Sequence, residues 1–472
     1  MSLLTNLFKY HKTPLLFVLL SSIFYLSFAY DLVRTDIIKL LLLYTALFVF
    51  AFKIIKTSGF YFRLLVISAI LFRLLFLFAI PNLSQDFYRF IWDGRMILEG
   101  LNPYLYSPDS FIENGKLPIA QAQELYNGMG ALSSSHFTNY PPINQLCFAI
   151  AALFSGKSIL GSIVILRTLI IAADIGTLYF GKKLLERLKL PSNRVFWYIL
   201  NPFIIIELTG NLHFEGVMLF FLVWSLYLLH SGKWKWAAVV LACSISVKLI
   251  PLMFLPLFFW WFKKGNVIAN EMKQSVSMKE IATSQVPHND IFKLILFYAI
   301  VGITTLLLFL PFFSMEFINN YSQTVGLWFG KFEFNASIYY LIREIGFAIT
   351  GYNEIAIIGK VLPILSLLII LGFSFFKQNN TIPKLTTSIV VVFACYLFLS
   401  TTVHPWYIAT LVLLCVFTNY RFPLVWSVAL VLSYLAYSNS SNSENLWIIE
   451  LEYMIVFAAF IWEIVLKKRI RI

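Results

Sequence analysis

The chain has 472 residues, of which 60% are hydrophobic, 18% aromatic and only 12% charged. Soluble proteins average about 25% charged residues, so this composition excludes a soluble globular fold and any appended soluble domain of ordinary size. The 36 Lys and Arg outnumber the 23 Asp and Glu, but in a membrane protein that excess marks cytoplasmic loops, and nucleic-acid binding drops out. Each helical span takes about 20 mostly apolar residues, so the expected fold is an all-α polytopic bundle.

In chain order, the first apolar window, 13–30, follows Lys9 and Lys12 in the manner of a signal peptide. It lacks a small-residue cleavage site, so it is expected to remain as the first helix. Further windows lie at 36–52, 60–80, 159–181, 195–210, 214–230, 236–249, 250–262, 292–312, 355–376, 385–403, 405–419, 422–437 and 446–466, giving thirteen or fourteen transmembrane helices. With this count, 24 of the 36 basic residues fall on one side, while the loops 81–142 and 313–354 carry five between them. The positive-inside rule makes the first side cytoplasmic, with both termini there, and the two long loops extracytoplasmic.

Two choices in this topology rest on charge. Residues 236–262 are split at Lys248-Leu249-Ile250-Pro251, where proline breaks the helix; one continuous span would carry every later basic cluster outside. The apolar stretch 143–154 is too short for a span and suits an interfacial or re-entrant helix. The polar segment 263–291 reads as a cytoplasmic connector. Cys147, Cys243, Cys395 and Cys415 lie far apart in apolar stretches without metal-ligand spacing and are expected to be buried packing residues.

After the third window, Ser84-Gln85-Asp86-Phe87-Tyr88-Arg89-Phe90-Ile91-Trp92-Asp93-Gly94-Arg95 sets two acids and two arginines among aromatics. Asp86, Arg89 and Asp93 recur at spacings of three and four, so a helix places them on one face. One reading is a solvated juxtamembrane helix laced with ion pairs. The other is a general base beside cations: a carboxylate can take a proton from a sugar hydroxyl while guanidinium forks hold a leaving phosphate.

Asn102-Pro103-Tyr104 and Tyr140-Pro141-Pro142 follow in the same loop. Then come Asn201-Pro202 with Glu207, Gly210-Asn211-Leu212-His213, Val247-Lys248-Leu249-Ile250-Pro251, Glu333-Phe334-Asn335 and His404-Pro405-Trp406-Tyr407. In this order they resemble the membrane-embedded GT-C glycosyltransferases. The nearest resemblance is to the bacterial branch of polyprenyl-phosphate-sugar transferases related to the catalytic subunit of glycosylphosphatidylinositol mannosyltransferase I. The resemblance implies transfer of a sugar, mannose in the first instance, from a polyprenyl-phosphate donor to a glycan or glycolipid hydroxyl outside a bacterial cytoplasmic membrane. It implies Asp86 as the catalytic base. The mechanism expected from these residues is inverting, with Arg89, Arg95 and Lys248 neutralising the leaving phosphate. Relatives often carry a second acid before the base; Gln85 stands there, so no metal and no cofactor are expected.

Lys248 sits at a proline-broken turn, suited either to a lipid phosphate or to snorkelling toward the interface. His213 serves either substrate binding or a turn hydrogen bond. His404 and Trp406 offer rings for a sugar or for the interface. Asp93, Asn102, Tyr104 and Tyr140 complete the expected substrate-binding set, with Glu333 and Asn335 as acceptor-side candidates. Arg73 is expected to pair within the bundle and Arg167 to reach toward the phosphate. The rival reading is a transporter or flippase of lipid-linked sugars, which would use the same cations around the same phosphate.

Overall fold

The computed structural model describes residues 12–58, 61–263, 288–330, 332–439 and 443–470, so most of the 263–291 connector lies outside the described residues. Helices α1 (Lys12–Tyr30), α2 (Ile37–Thr57) and α3 (Phe62–Leu74) lead into the long polar loop. That loop folds into α4 (Asp86–Leu98), α5 (Ala122–Ser134) and α6 (Pro142–Ser155). Then come α7 (Ile159–Arg187), α8 (Pro202–Gly210), α9 (Glu215–His230), α10 (Trp234–Ile245) and α11 (Ile250–Lys263). The rest are α12 (His288–Phe309), α13 (Met315–Gly330), α14 (Ile338–Thr350), α15 (Ile355–Phe376), α16 (Ile382–Leu399), α17 (Pro405–Cys415), α18 (Phe422–Ser438) and α19 (Leu446–Phe460). Among the described residues the only β pairing is one parallel bridge between Phe334 and Thr402.

The all-α polytopic expectation holds, and each of the fourteen windows carries helix. Their continuity differs from the expectation of thirteen or fourteen spans. Six described helices are long and apolar enough to cross a bilayer, or seven if α8 and α9, bent by 114°, form one broken span. Proline is the main cause: Pro202, Pro251, Pro405 and Pro423 each sit in the first turn of a short segment and bar its continuation from the preceding helix. The 236–262 split occurs where expected, with α10 ending at Ile245 and a 3₁₀ segment starting at Ile250. Residues 143–154 form the short helix α6, packed between α4 and α7.

Local chemistry fixes the elements around the polar loop. Ser158 caps α7 by accepting from the Gly161 N–H at 2.9 Å. α4 crosses α6 at Gly94, where any Cβ would run into the Phe148 carbonyl, so only glycine allows this approach. Arg73 does pair inside the bundle: its Nε lies 2.7 Å from the Asp174 carboxylate and its Nη1 donates to the Ala69 and Ile199 carbonyls, tying α3 to α7. Cys147 and Cys415 are buried as expected, whereas Cys243 and Cys395 are only half-buried.

Candidate functional site

A cavity of about 1230 Å³ is lined by residues far apart in sequence, among them Arg34, Asp86, Tyr140, Glu207, Lys248, Tyr321, Glu333, Trp406, Tyr434 and Glu444. Its lining includes the polar or aromatic Asp86, Lys248, Tyr140, Glu207, Tyr434 and Trp406 and the apolar Leu249, Ile250, Leu252, Met253, Pro256, Leu367 and Ile370. A lining that combines charged, aromatic and aliphatic side chains suits an amphipathic ligand.

Asp86 opens α4, half-buried, with its backbone N–H directed at Ser84 Oγ, 3.3 Å away. Burial pushes its carboxyl up to about 6, Lys248 nearby pulls it down, and Glu215 adds to the rise. Such a group is ionised at neutral pH yet basic enough to take a proton. Lys248 Nζ lies 3.2 Å from Glu215 Oε1 and 5.1 Å from the centre of the Tyr140 ring, with a fifth of its side chain exposed. The turn after α10 thus presents a cation, backed by a carboxylate and a ring, near Asp86.

Arg89 lines the cavity but is 3% exposed. Its Nε donates to Asp93 at 2.7 Å, and its Nη1 donates to the Ser133 and His136 carbonyls at 2.7 and 2.9 Å. It therefore pins the 133–136 segment that forms one cavity wall. Asp93 shares the Asp86 face of α4, as its spacing predicts, but is fully buried behind it, held by Arg89 and by Gln145 Nε2 at 3.0 Å.

Four more of the expected residues do not line the cavity. Arg95 donates to the carbonyls of Ala120 and Lys157 and to Gln121 Oε1. Asn102 bridges the Phe312 carbonyl and the Tyr104 N–H. Tyr104 is buried, its hydroxyl donating to the Tyr140 carbonyl at 2.5 Å, and so sets the position of Tyr140. His213 is buried beneath Trp406, its ring centre 3.7 Å from the indole. His404 stacks on the same indole at 4.5 Å and reaches the cavity with it.

The idea that Arg167 reaches toward a phosphate is corrected. Its guanidinium is buried and donates to the carbonyls of Thr209, Gly210, Leu77 and Ala79 at 2.7 to 3.0 Å, where it clamps the end of α8. Glu333 lines the cavity but is bound by Arg343, Tyr339 and Asn353. Asn335 is buried and bonded to Glu452. Gln85 donates to the Met129 carbonyl at 3.4 Å.

Sequence reasoning missed Arg34 and Tyr437 and assigned no part to Glu207. Arg34 lies in the short connection between α1 and α2, its guanidinium 5.0 Å from the centre of the Tyr437 ring, and lines the cavity. A signal existed: on a side where basic residues are scarce, an arginine in a six-residue connection is conspicuous.

The family model for the alpha-(1->6)-mannopyranosyltransferase N-terminal domain matches residues 21–264, which include Arg34, Asp86, Arg89, Glu207 and Lys248. Alpha-(1->6)-mannopyranosyltransferase A of Mycobacterium tuberculosis is 22% identical over 189 residues, 40% of this chain and 35% of the relative. The similarity thus spans about a third of that relative's length.

Proposed function

The chain belongs to the alpha-(1->6)-mannopyranosyltransferase N-terminal-domain family, and from that premise we propose that it is a membrane mannosyltransferase using a polyprenyl-phosphate donor. The observation that carries this reading is one cavity whose lining combines Asp86 and Lys248 with the apolar Leu249, Ile250, Leu252, Met253 and Pro256. A phosphate-linked lipid fits both kinds of lining: the apolar side chains take isoprenoid carbons and the cations take the phosphate. On the positive-inside reading, the cavity opens on the extracytoplasmic side.

In the proposed reaction an acceptor hydroxyl approaches Asp86, which removes its proton as the oxygen attacks the anomeric carbon. The bond from that carbon to the phosphate oxygen breaks, and polyprenyl phosphate leaves with the electron pair. In-line displacement inverts the centre, so an α-linked product requires a β-linked donor. Lys248 and Arg34 meet the charge that grows on the leaving phosphate. Arg89, Asp93, Arg95, Asn102 and Tyr104 hold the loop that carries the base and Tyr140. The reaction as proposed uses no metal ion.

The test is reconstitution of purified protein in liposomes with polyprenyl-phosphate mannose and a glycolipid acceptor. Wild type is expected to form product, and Asp86→Asn to bind donor without turnover. Donor crossing the bilayer with no product formed would instead establish a flippase and defeat the proposal.

A further inference from the structure

One wall of the cavity carries polar side chains that the transfer chemistry above does not use. α5 ends at Ser134, and in the stretch that follows His136 and Asn139 both line the cavity. The backbone of this stretch is held at several points. Arg89 Nη1 donates to the Ser133 and His136 carbonyls, and the Tyr321 hydroxyl of α13 donates to the Asn139 carbonyl at 3.2 Å. The Tyr104 hydroxyl then fixes the next carbonyl, that of Tyr140. Side chains carried on a held backbone lose little freedom when a ligand arrives.

The contacts of His136 show which of its ring atoms remains available. Its Nδ1 lies 2.6 Å from the Leu132 carbonyl oxygen and 2.9 Å from Ser135 Oγ. A carbonyl oxygen can only accept, so Nδ1 carries the proton and Nε2 of the neutral ring keeps a lone pair. The Nδ1 contact caps the last turn of α5, which accounts for one ring nitrogen and not for the other. Among the described residues Nε2 has no hydrogen-bond partner, and the Asn139 side-chain amide has none either. Both residues are half-buried. The wall therefore offers a ring nitrogen that accepts and an amide that both donates and accepts.

Uncharged groups of this kind suit the hydroxyls of a sugar, whereas Arg34 and Lys248 suit a phosphate. Two sugars meet in the proposed reaction, and Arg89 decides between them. It lies one turn after Asp86 on α4 and grips the Ser133 and His136 carbonyls, so this wall is tied to the helix that opens with the base. The sugar that must be registered against Asp86 is the one that gives up its proton. We propose that His136 and Asn139 form the subsite for the acceptor sugar, hydrogen-bonding its ring hydroxyls and so setting which hydroxyl meets Asp86. The inference rests on the sugar-transfer reading above.

The experiment measures KM for octyl α-mannoside as acceptor and for polyprenyl-phosphate mannose as donor, each with the other saturating, together with the melting temperature in detergent. His136→Asn keeps a hydrogen-bond donor where Nδ1 stands and removes the lone pair at Nε2; His136→Gln does the reverse. His136→Asn and Asn139→Ala are expected to raise the octyl mannoside KM roughly three- to tenfold, as for one lost hydrogen bond, and to leave the donor KM unchanged. His136→Gln, having lost the cap, melts at a lower temperature with an octyl mannoside KM near that of wild type. An octyl mannoside KM that rises in His136→Gln and not in His136→Asn makes the histidine a helix cap alone and overturns the subsite. A wild-type value in both His136→Asn and Asn139→Ala, or a rise in the donor KM in its place, overturns it too. If His136→Asn does not fold, Asn139→Ala decides, since its side chain has no partner to lose among the described residues. Failure of wild type to transfer mannose defeats the underlying reading, a result distinct from these.

Discussion

The pH dependence of transfer gives the sharpest test of the proposed base. With the Asp86 carboxyl at about 6, roughly nine-tenths of it is ionised at pH 7 and roughly one-tenth at pH 5. If ionised Asp86 takes the acceptor proton, kcat/KM falls about tenfold between those two values and is flat above pH 7. Two neighbours shift this limb in opposite directions. Lys248 favours the ionised form, so Lys248→Met moves the midpoint upward, by about one pH unit for the loss of one close opposite charge. Glu215 opposes ionisation, so Glu215→Gln moves it downward. Asp86→Asn removes the limb and lowers turnover on the order of 10²- to 10⁴-fold. The assay follows labelled mannose into product from saturating lipid donor, at pH 4.5 to 8.5. A profile flat across pH 5 to 7, or shifts of the same sign in the two neighbour variants, would refute the assignment.

Stability offers independent checks. Asp86 holds its proton to higher pH in the folded protein than the ordinary carboxyl does. The folded state therefore binds the extra proton between about pH 4 and 6, stability falls as pH rises through that window, and Asp86→Asn should unfold at higher temperature at pH 7. Asp174→Asn leaves the buried Arg73 charge without its counter-ion; a loss of about 3–5 kcal/mol is expected in detergent unfolding, largely recovered in Arg73→Met/Asp174→Leu. Gly94→Ala forces a Cβ against the Phe148 carbonyl and should cost about 1–3 kcal/mol, seen as a lowered melting temperature, because backbone yields less readily than a side chain. Chelation with EDTA should leave transfer unchanged; a loss restored by a divalent cation would overturn the metal-free mechanism.

Much of the fold was legible because apolar windows and prolines act locally. The break after Ile245 followed from Pro251, and the shared face of Asp86, Arg89 and Asp93 from spacing alone. What spacing did not reveal was depth. Arg89, Asp93 and Arg95 look as open as Asp86 in sequence, but Ser133, His136, Gln145, Ala120 and Lys157 come from other parts of the chain and bury them. Arg167 shows the same limit: its four carbonyl partners exist only because α8 is broken beside α3. Arg34 was overlooked because a single cation in a short connection has no pattern, and its meaning depends on Tyr437, four hundred residues later.

The placement of Lys248 bears on the topology as well as on the chemistry. Charge parity required the chain to turn at Lys248, which put that turn on the same side as the connections at 31–36 and 81–142 and the loop 313–354. In the structure, residues from each of these segments line one cavity with Lys248. Had 236–262 been one straight span, Lys248 would lie in mid-helix with no loop near it. Instead it lines the cavity next to the apolar Leu249 and Ile250, which follow it in the chain. A lipid phosphate has the same boundary in its own structure, with anion on one side and hydrocarbon on the other. Changes of chain length in the proposed polyprenyl donor should therefore alter KM through the apolar lining while leaving the pH limb assigned to Asp86 where it is. A limb that moved with lipid length would mean that the lipid tail acts on the group that takes the proton.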